Sequence, residues 1–218
     1  MAVGYQVKFE TITVGKTPFE IRSLRDRQQY DDPGEVSKKA GVPPASWPLF
    51  GVIWPSGMIL ADVMDDYPSE GIRILEVGCG LGLASLVMHN HGANITASDY
   101  HPMAEKFMHK NIDLNKFAPI KFELIDWAKI DSTLGKFDLI IGSDVLYEPN
   151  HPALLANFIE RHAGEQCKVI IVDPGRRQRT EFSKRMVVNG YSLIPHIVNA
   201  VLADSLEFKG KVLVYTRN

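Results

Sequence analysis

The chain has 218 residues, and its 24 lysines and arginines against 26 aspartates and glutamates give a formal net charge of −2 at pH 7. A near-neutral chain of this kind is not built to hold a polyanion by bulk charge, which excludes the class of general nucleic-acid binders. Its two cysteines, Cys79 and Cys167, are too few for a disulfide scaffold or a four-ligand zinc site.

Neither a membrane span nor a secretory signal is predicted. No apolar run approaches the roughly 20 residues that a transmembrane helix needs. The N-terminal segment also lacks the basic stretch followed by an apolar stretch that is typical of a signal peptide. We therefore expect a soluble, reduced and cytoplasmic protein without a membrane partner.

The first part of the chain predicts a small extension ahead of the main domain. Apolar and polar residues alternate over residues 7–13 and 19–23, on either side of a turn-like stretch at 14–18, which is typical of a β-hairpin. Residues 25–45 are polar and contain several turn signals, so they are predicted to form a connecting loop. The extension is assigned to residues 1–45 and the main domain to residues 46–218.

From there on, strand and helix patterns alternate. Helices are predicted at 56–64, 84–91, 103–114, 152–162 and 180–189, and strands at 72–77, 95–98, 121–125, 137–142, 168–172, 191–197 and 211–216. This order predicts an α/β fold with a seven-stranded, mostly parallel sheet and helices on both faces. The last two strands have no helix between them, which predicts an antiparallel C-terminal edge. Ligands of such sheets bind beyond the carboxyl ends of the strands.

A glycine-rich loop follows the first strand of the predicted sheet. Gly78, Gly80 and Gly82 alternate with other residues, and Glu76 stands two positions ahead of them. Glycines allow a sharp turn and the close approach of a ligand. The dinucleotide pattern G-x-G-x-x-G fails because Leu83 occupies its sixth position. A carboxylate here would repel phosphate but could pair with an ammonium or sulfonium group; the alternative is a tight turn that needs glycine only for packing.

Acidic residues also follow the next two strands. Asp99 could accept both hydroxyls of a ribose, because a carboxylate offers two oxygens to a vicinal diol. The alternative for Asp99 is a helix N-cap. Asp126 and Trp127 stand side by side after the third strand and could contact the edge and face of an adenine. A lone tryptophan is more often part of a core.

Together these segments resemble the class I S-adenosylmethionine-dependent methyltransferases, with a Rossmann-like sheet. Two further segments are more particular: Trp54-Pro55 before the first helix of the domain, and Asp144 with Tyr147 three positions later, after the fourth strand. They are similar to the seven-strand protein lysine methyltransferases called methyltransferase family 16, some bacterial members of which are labelled nicotinamide N-methyltransferase-like. An N-terminal hairpin is also similar to that group, and the resemblance extends from about residue 54 to the end.

The resemblance implies which residues hold the cofactor, S-adenosylmethionine. It implies that Gly78, Cys79 and Gly80 wrap the methionine moiety, that Asp99 holds the ribose and that Trp127 flanks the adenine.

It also implies how the acceptor side is built. Trp54 would cover the cofactor and Ser143 would lie beside it, while Asp144 and Tyr147 would face the acceptor.

Asp144 and Tyr147 suit the methylation of an amine. A carboxylate can hydrogen-bond the amine and direct its lone pair, although it also favours the charged ammonium and so does not remove the proton. The attraction between an aromatic ring and an ammonium group contributes about 0.5–2 kcal/mol. Related enzymes that act on adenine or glutamine amides carry Pro-Pro where Val145 and Leu146 stand here, which argues against those acceptors. The alternatives are a loop cap for Asp144 and surface packing for Tyr147.

Two weaker patterns remain. Asp144 with Asp173 is a conceivable pair of metal ligands, but without a clear third oxygen ligand no metal site is expected. Residues 176–185 hold five basic residues and one acid. This run is interpreted as a solvated helix start, with an acidic substrate surface or an RNA contact as the alternative.

The function predicted from the sequence is an S-adenosylmethionine-dependent N-methyltransferase that acts on a lysine side chain of a protein. It is expected to be a monomer without a nucleic-acid partner. The alternatives are a small-molecule N- or O-methyltransferase and a non-catalytic S-adenosylmethionine-binding partner subunit. A closed pocket under a lid made of residues 25–44 would favour a small molecule, whereas an open, charged groove would favour a protein.

Overall fold

The computed structural model describes residues 4–130, 133–196 and 208–217. Its strands are β1 Val7–Val14, β2 Thr17–Leu24, β3 Arg73–Val77, β4 Asn94–Asp99, β5 Lys121–Leu124, β6 Phe137–Ser143, β7 Ala163–Asp173, β8 Ser192–His196 and β9 Lys211–Arg217. Its helices are α1 Val36–Lys39, α2 Pro55–Asp65, α3 Leu83–Asn90, α4 Pro102–Leu114, α5 His151–His162 and α6 Arg179–Val188. The last residue of the strand predicted at 191–197 lies outside the described residues.

The main sheet has seven strands in the order β5-β4-β3-β6-β7-β9-β8. Strands β3 to β7 are parallel to one another, whereas β9 is antiparallel to both β7 and β8. The predicted Rossmann-like sheet with an antiparallel edge is therefore confirmed. From β3 the chain adds β4 and β5 on one side of the sheet and then β6 on the other side. The loops after β3, β4 and β6 therefore open at one edge of the sheet.

Each face of the sheet is covered by helices. Alternate residues of one strand point to opposite faces, so Ile74 of β3 joins the core under α2 and α3, while Leu75 joins the core under α5 and α6. Both side chains are fully buried. Complete burial of an aliphatic side chain of this size contributes roughly 1.5–3 kcal/mol, which makes these two apolar layers the main source of stability.

The predicted N-terminal hairpin is present as strands β1 and β2. The inner side of β2 carries Phe19 and Ile21, both fully buried. Its free edge is bound by side chains of α4: the backbone N–H groups of Glu20 and Arg22 donate to Asn115 Oδ1 and Asn111 Oδ1 at 2.9 and 2.8 Å. Asn115 Nδ2 in turn donates a hydrogen bond to the Glu20 carbonyl oxygen at 2.8 Å. The hairpin is thus fixed to the helix that follows β4.

Residues 44–65 correct one prediction. Contrary to the sequence interpretation, they contain an apolar window long enough to span a membrane by length and composition alone. In the fold the backbone is broken into two short 3-10 turns, Pro44–Ser46 and Leu49–Gly51, followed by α2. Ile59, Leu60 and Met64 of α2 are buried in the core. Part of the window, 39% of its residues, is therefore buried inside the domain.

Residues 25–45 are also more structured than the predicted loop. They contain a 3-10 turn at Arg27–Gln29 and the helix α1. A buried chain of hydrogen bonds ties this segment to His101, two positions after Asp99. His101 Nδ1 accepts from the Met103 N–H at 3.1 Å, so Nε2 carries the proton and donates to Ser37 Oγ at 2.9 Å. Ser37 Oγ in turn donates to Asp32 Oδ1 at 2.7 Å.

This chain of hydrogen bonds makes stability depend on pH. Burial lowers the pKa of His101 from 6.5 to about 4, so the folded protein holds it neutral while the unfolded chain is protonated below 6.5. Stability supplied by this group is therefore present above 6.5 and is lost as the pH falls towards about 4. The loss between about pH 7 and about pH 5 is on the order of 2 kcal/mol.

The free energy of unfolding in urea is measured at both pH values for the wild type and for His101→Gln, which cannot titrate at this position. We expect the difference between the two pH values to be smaller in His101→Gln than in the wild type. Glu76, whose pKa burial raises from 4.5 to about 7, has the opposite slope, but it is common to both proteins and cancels. His109→Gln, at an exposed position, is the matched control and should leave the wild-type difference intact. Equal differences in all three proteins would contradict the prediction.

Candidate functional site

The glycine loop after β3 adopts a conformation that only glycine accommodates well. Gly78 and Gly80 have left-handed φ angles of 63° and 54°. A Cβ on Gly78 would lie 2.7 Å from Val145 Cγ1, and one on Gly80 would lie 3.0 Å from the Phe50 carbonyl oxygen. The loop therefore exposes bare backbone beyond the end of the sheet, hemmed in by Val145 on one side and Phe50 on the other.

Asp99, at the end of β4, braces this loop. Its Oδ2 accepts from the Gly80 N–H and its Oδ1 from the His101 N–H, both at 2.8 Å. Each carboxylate oxygen keeps a further lone pair, and the residue is only partly buried. Burial raises the pKa of Asp99, against the lowering effect of these backbone donors. The N-cap of α4 is His101, so the alternative interpretation of Asp99 as the cap is wrong.

Glu76 and Cys79 lie beneath the loop. The Glu76 carboxylate is buried and accepts from both the N–H and the hydroxyl of Ser85, at the start of α3. It thus anchors a helix, whereas the sequence predicts that it pairs with a charged cofactor group. Burial raises the pKa of the Cys79 thiol well above its usual value, which keeps it protonated and argues against a role as a nucleophile.

Three rings stand together beside this loop. The His151 ring lies 4.6 Å from that of Tyr147 and 5.4 Å from that of Trp127, nearly perpendicular to both. His151 Nδ1 lies 2.8 Å from the Val145 carbonyl oxygen and so donates to it. Burial raises the pKa of the Tyr147 phenol, and the negative charge of Asp99 raises it further. Sequence analysis missed His151, because no pattern marks the first residue of α5.

Asp126 and Ser143 are the remaining predicted cofactor residues. Asp126 Oδ1 accepts from the Ala128 N–H at 2.9 Å and so shapes the loop that carries Trp127. Ser143 ends β6, and its hydroxyl lies 3.6 Å from the place that a Cβ on Gly57 would occupy. The two residues thus sit at the carboxyl ends of different strands, as the sheet pattern predicts.

An open cleft of about 370 Å³ lies at the carboxyl ends of β6 and β7. It is lined by Trp54, Pro55, Ser56, Asp144, Pro174, Gly175 and Arg176. The Trp54 indole is fixed as one wall, because its Nε1 donates to the Leu49 carbonyl oxygen at 2.9 Å. The structure thus brings together two sequence-predicted residues, Trp54 and Asp144, from segments about 90 positions apart.

Asp144 is held by an arginine that sequence analysis did not pair with it. Arg176 Nε donates to Asp144 Oδ1 at 2.7 Å, and Nη2 donates to Oδ2 at 2.8 Å. The Asp144 side chain is 9% exposed and that of Arg176 39%. Asp144 also has a left-handed φ of 52° and donates its N–H to the Val172 carbonyl at 2.9 Å. Strained backbone of this kind clusters at functional sites.

The ion pair revises the interpretation of the basic run. Arg179 lies 3.6 Å from Asp173, and Arg185 lies 2.9 Å from Glu181. Together with Arg176, three of the five basic residues in 176–185 are therefore paired within the chain. Asp173 accepts from the N–H groups of residues 175 and 176. Within the described residues, no three potential metal ligands of the His, Cys, Asp and Glu types come together.

The profile of a family described as lysine methyltransferase matches residues 49–188. Over 135 residues the chain is 32% identical to the electron transfer flavoprotein beta subunit lysine methyltransferase of Xenopus laevis, covering 60% of this chain and 54% of that protein. Over 130 residues it is 29% identical to the protein N-lysine methyltransferase METTL21A of Danio rerio, covering 55% and 60%. The chain thus spans little more than half the length of these curated relatives.

Solved structures share the fold. A 16S rRNA methyltransferase of T. thermophilus, in complex with AdoMet and guanosine, superposes with a TM-score of 0.66 at 12% identity, covering 97% of this chain and 51% of that one. At this identity the likeness shows a common Rossmann-like methyltransferase architecture.

Proposed function

Because the chain belongs to the lysine methyltransferase family, we propose that it transfers a methyl group from S-adenosylmethionine to the lysine amine of a protein. The curated relatives are named as protein lysine methyltransferases. This chain's own cleft supports the same acceptor class.

The residues around the glycine loop fit S-adenosylmethionine. Gly78 and Gly80 give the loop the left-handed turns with which it would follow the methionine portion, and Asp99 has one lone pair to spare on each oxygen for the ribose hydroxyls. Asp126 and Trp127 complete the set on the adenine side. Backbone turns of this kind, without a Cβ, let a ligand approach the main chain closely.

When bound, S-adenosylmethionine supplies a methyl group on a sulfonium, whose carbon–sulfur electron pair leaves with sulfur as the amine lone pair forms the new carbon–nitrogen bond. Asp144 accepts an N–H of the uncharged lysine amine and so fixes the direction of its lone pair. Alignment of this kind is the largest part of what the protein contributes to an in-line displacement. The Tyr147 ring contacts the lysine stem, and water takes the surplus proton.

The observation that carries the proposal is the openness of the cleft around Asp144. None of residues 25–44 lines it: Tyr100 Oη donates to the Ala40 carbonyl at 2.6 Å and Ser37 bonds to His101, so the part of the segment around Ser37 and Ala40 lies against the β4 side of the sheet. An open cleft with charged walls accommodates a side chain presented by a large partner. A small-molecule acceptor would be favoured by a closed pocket under that segment.

The alternative of a non-catalytic partner subunit is disfavoured by the acceptor residues. Asp144 and Tyr147 are both present, and Arg176 holds the Asp144 carboxylate in the lining of the cleft. A subunit that only bound the cofactor would not need an oriented carboxylate there.

Incubation of the protein with a lysate of the source cells and radiolabelled S-adenosylmethionine tests the proposal. We expect a labelled protein band, with the label recovered as methyl-lysine after hydrolysis. Label confined to small molecules would overturn the protein acceptor in favour of the alternative, and binding of S-adenosylhomocysteine without any transfer would favour the partner subunit.

We also propose a cytoplasmic, monomeric protein. Cys79 and Cys167 are free thiols, which suits a reducing compartment. Apart from Val187 and Val188, which both end α6, the large exposed apolar side chains of the described residues lie on separate elements, such as Phe9 on β1 and Leu124 on β5, as in a typical monomer surface. Light scattering, with a dimer as the contradicting result, tests the second point.

A further inference from the structure

Asp144 poses a problem for the chemistry proposed above. A carboxylate beside a lysine amine favours the ammonium form, which has no lone pair to attack a methyl group. Free lysine has a pKa of about 10.4, so at neutral pH a bare Asp144 would hold the acceptor in the wrong protonation state. The cleft therefore needs a group that balances the negative charge of Asp144 while the carboxylate stays in place to orient the amine.

Arg176 is placed to act as that group. Its planar fork meets both oxygens of Asp144, through Nε at 2.7 Å and Nη2 at 2.8 Å. Such bidentate pairs fix the plane of the carboxylate as well as binding it. Each oxygen uses one lone pair towards Arg176 and keeps another for an amine N–H. The two side chains both line the open cleft, so the pair presents a carboxylate of fixed orientation and balanced charge.

Resting on the proposed function, we propose that Arg176 is a positioning residue that holds Asp144 in one orientation and balances its charge, so that the acceptor amine is bound uncharged.

Other charged groups near the pair come from every element that packs against it. From β7, Asp173 accepts from the Gly175 and Arg176 N–H groups at 2.8 and 2.9 Å, and from α6, Arg179 lies 3.6 Å from Asp173. This second pair of opposite charges balances itself. Asp173 contributes to the raised pKa of Arg176, although the hydrogen bonds to Asp144 are the largest cause.

The loop after β6 and the segment before α2 supply the rest. Glu148 and Tyr147 lie on the same loop as Asp144. Burial raises the pKa of the Tyr147 phenol, which keeps the phenol neutral. The Arg27 guanidinium lies 5.9 Å from the centre of a Trp54 ring. Of these groups only Arg176 contacts Asp144 through hydrogen bonds, so removal of Arg176 leaves the carboxylate charge unbalanced.

The first test compares pH profiles of methyl transfer into lysate protein. Arg176→Gln is expected to move the midpoint of the rising limb of kcat about one pH unit higher, because the bound amine deprotonates later. The rate should thus be about tenfold below wild type at neutral pH, and the two profiles should converge only at pH values above both midpoints. Arg176→Lys keeps a charge and should keep the wild-type midpoint with a lower plateau.

Arg177→Gln is the matched control, since it removes the same charge from an exposed neighbouring position. Its profile should superimpose on that of the wild type. A profile of Arg176→Gln that is lowered equally at every pH, or raised at neutral pH, would overturn the inference while leaving the proposed function intact. Absence of any transfer by the wild type would instead overturn the proposed function.

The second test does not depend on turnover. Binding of n-butylamine, a primary amine like that of lysine, is followed by NMR shift titration on protein loaded with S-adenosylhomocysteine. In the wild type, binding should strengthen from about pH 8 to about pH 10.5, as uncharged butylamine increases. In Arg176→Gln the bare carboxylate should prefer butylammonium, so binding should weaken over that range. The same pH dependence in both proteins would overturn the inference.

Discussion

Asp144→Ala is expected to lower methyl transfer to the acceptor protein by at least about 100-fold, the range typical of a lost alignment and hydrogen-bonding group in a transition state. The substitution removes the carboxylate, among the residues that line the cleft, that would receive the amine N–H. Cofactor affinity should stay within about twofold, because Asp144 is bound to Arg176 and not to the glycine loop. Transfer is measured with radiolabelled S-adenosylmethionine, and affinity by calorimetry with S-adenosylhomocysteine.

The backbone at this position calls for a second variant. Asp144 has a left-handed φ of 52°, which aspartate and asparagine tolerate better than alanine. Asp144→Asn keeps that conformation, removes the charge and should still lose most of the activity. Asp113→Ala, at an exposed carboxylate of α4, is the control and should be fully active. Wild-type rates in both Asp144 variants would refute the acceptor role.

Asp99→Ala is expected to weaken S-adenosylhomocysteine binding by about 100-fold or more. Hydrogen bonds to a charged group contribute about 1.5–3 kcal/mol each, and loss of a bonded ribose diol removes two of them. The substitution also frees the Gly80 and His101 N–H groups, so the glycine loop loses its brace. Calorimetry gives the affinity directly.

A control for folding accompanies this prediction. Asp99→Asn keeps the shape and one acceptor oxygen, and we expect its affinity to fall between those of the wild type and Asp99→Ala. Thermal unfolding without ligand separates a damaged loop from a lost ligand contact. If Asp99→Ala unfolds at the wild-type temperature and binds S-adenosylhomocysteine with wild-type affinity, the assignment of Asp99 to the ribose is wrong.

The sheet is predictable from the sequence because its signals are local. Apolar runs such as 72–77 and 137–142 end in glycine or acid, and parallel strands put their carboxyl ends at one edge. The pattern alone therefore predicts that Gly78, Asp99 and Asp144 lie at that edge. The pattern of the hairpin is equally local, since a period of two on either side of a turn suffices to predict it.

Partnerships across the chain are harder to predict. Arg176 is 32 residues from Asp144, and within its own segment it is one of several basic residues at a helix start. Only the pairing of β6 with β7, in which Ser143 lies opposite Val172, brings the two side chains together. That register would have been the signal, because it places the residues after both strands side by side.

The burial of polar residues is the hardest feature to predict from the sequence. Asp32 and Ser37 stand in a polar segment with turn signals, which is typical of a surface loop. Their burial depends on His101, a residue of another segment, whose proton on Nε2 completes the chain of hydrogen bonds. The role of Glu76 likewise depends on Ser85 lying above it in α3. Composition and spacing do not encode such pairings.

The two asparagines of α4 that bind β2 have a consequence for solubility. A two-stranded hairpin leaves unpaired N–H and C=O groups along its edges, which is a template for pairing with another chain. Asn115 forms hydrogen bonds with both the N–H and the C=O of Glu20, and Asn111 accepts one from the N–H of Arg22. Amide side chains thus occupy the place that a third strand would take. The helix thereby shields the hairpin from edge-to-edge aggregation without adding a strand that could itself be extended.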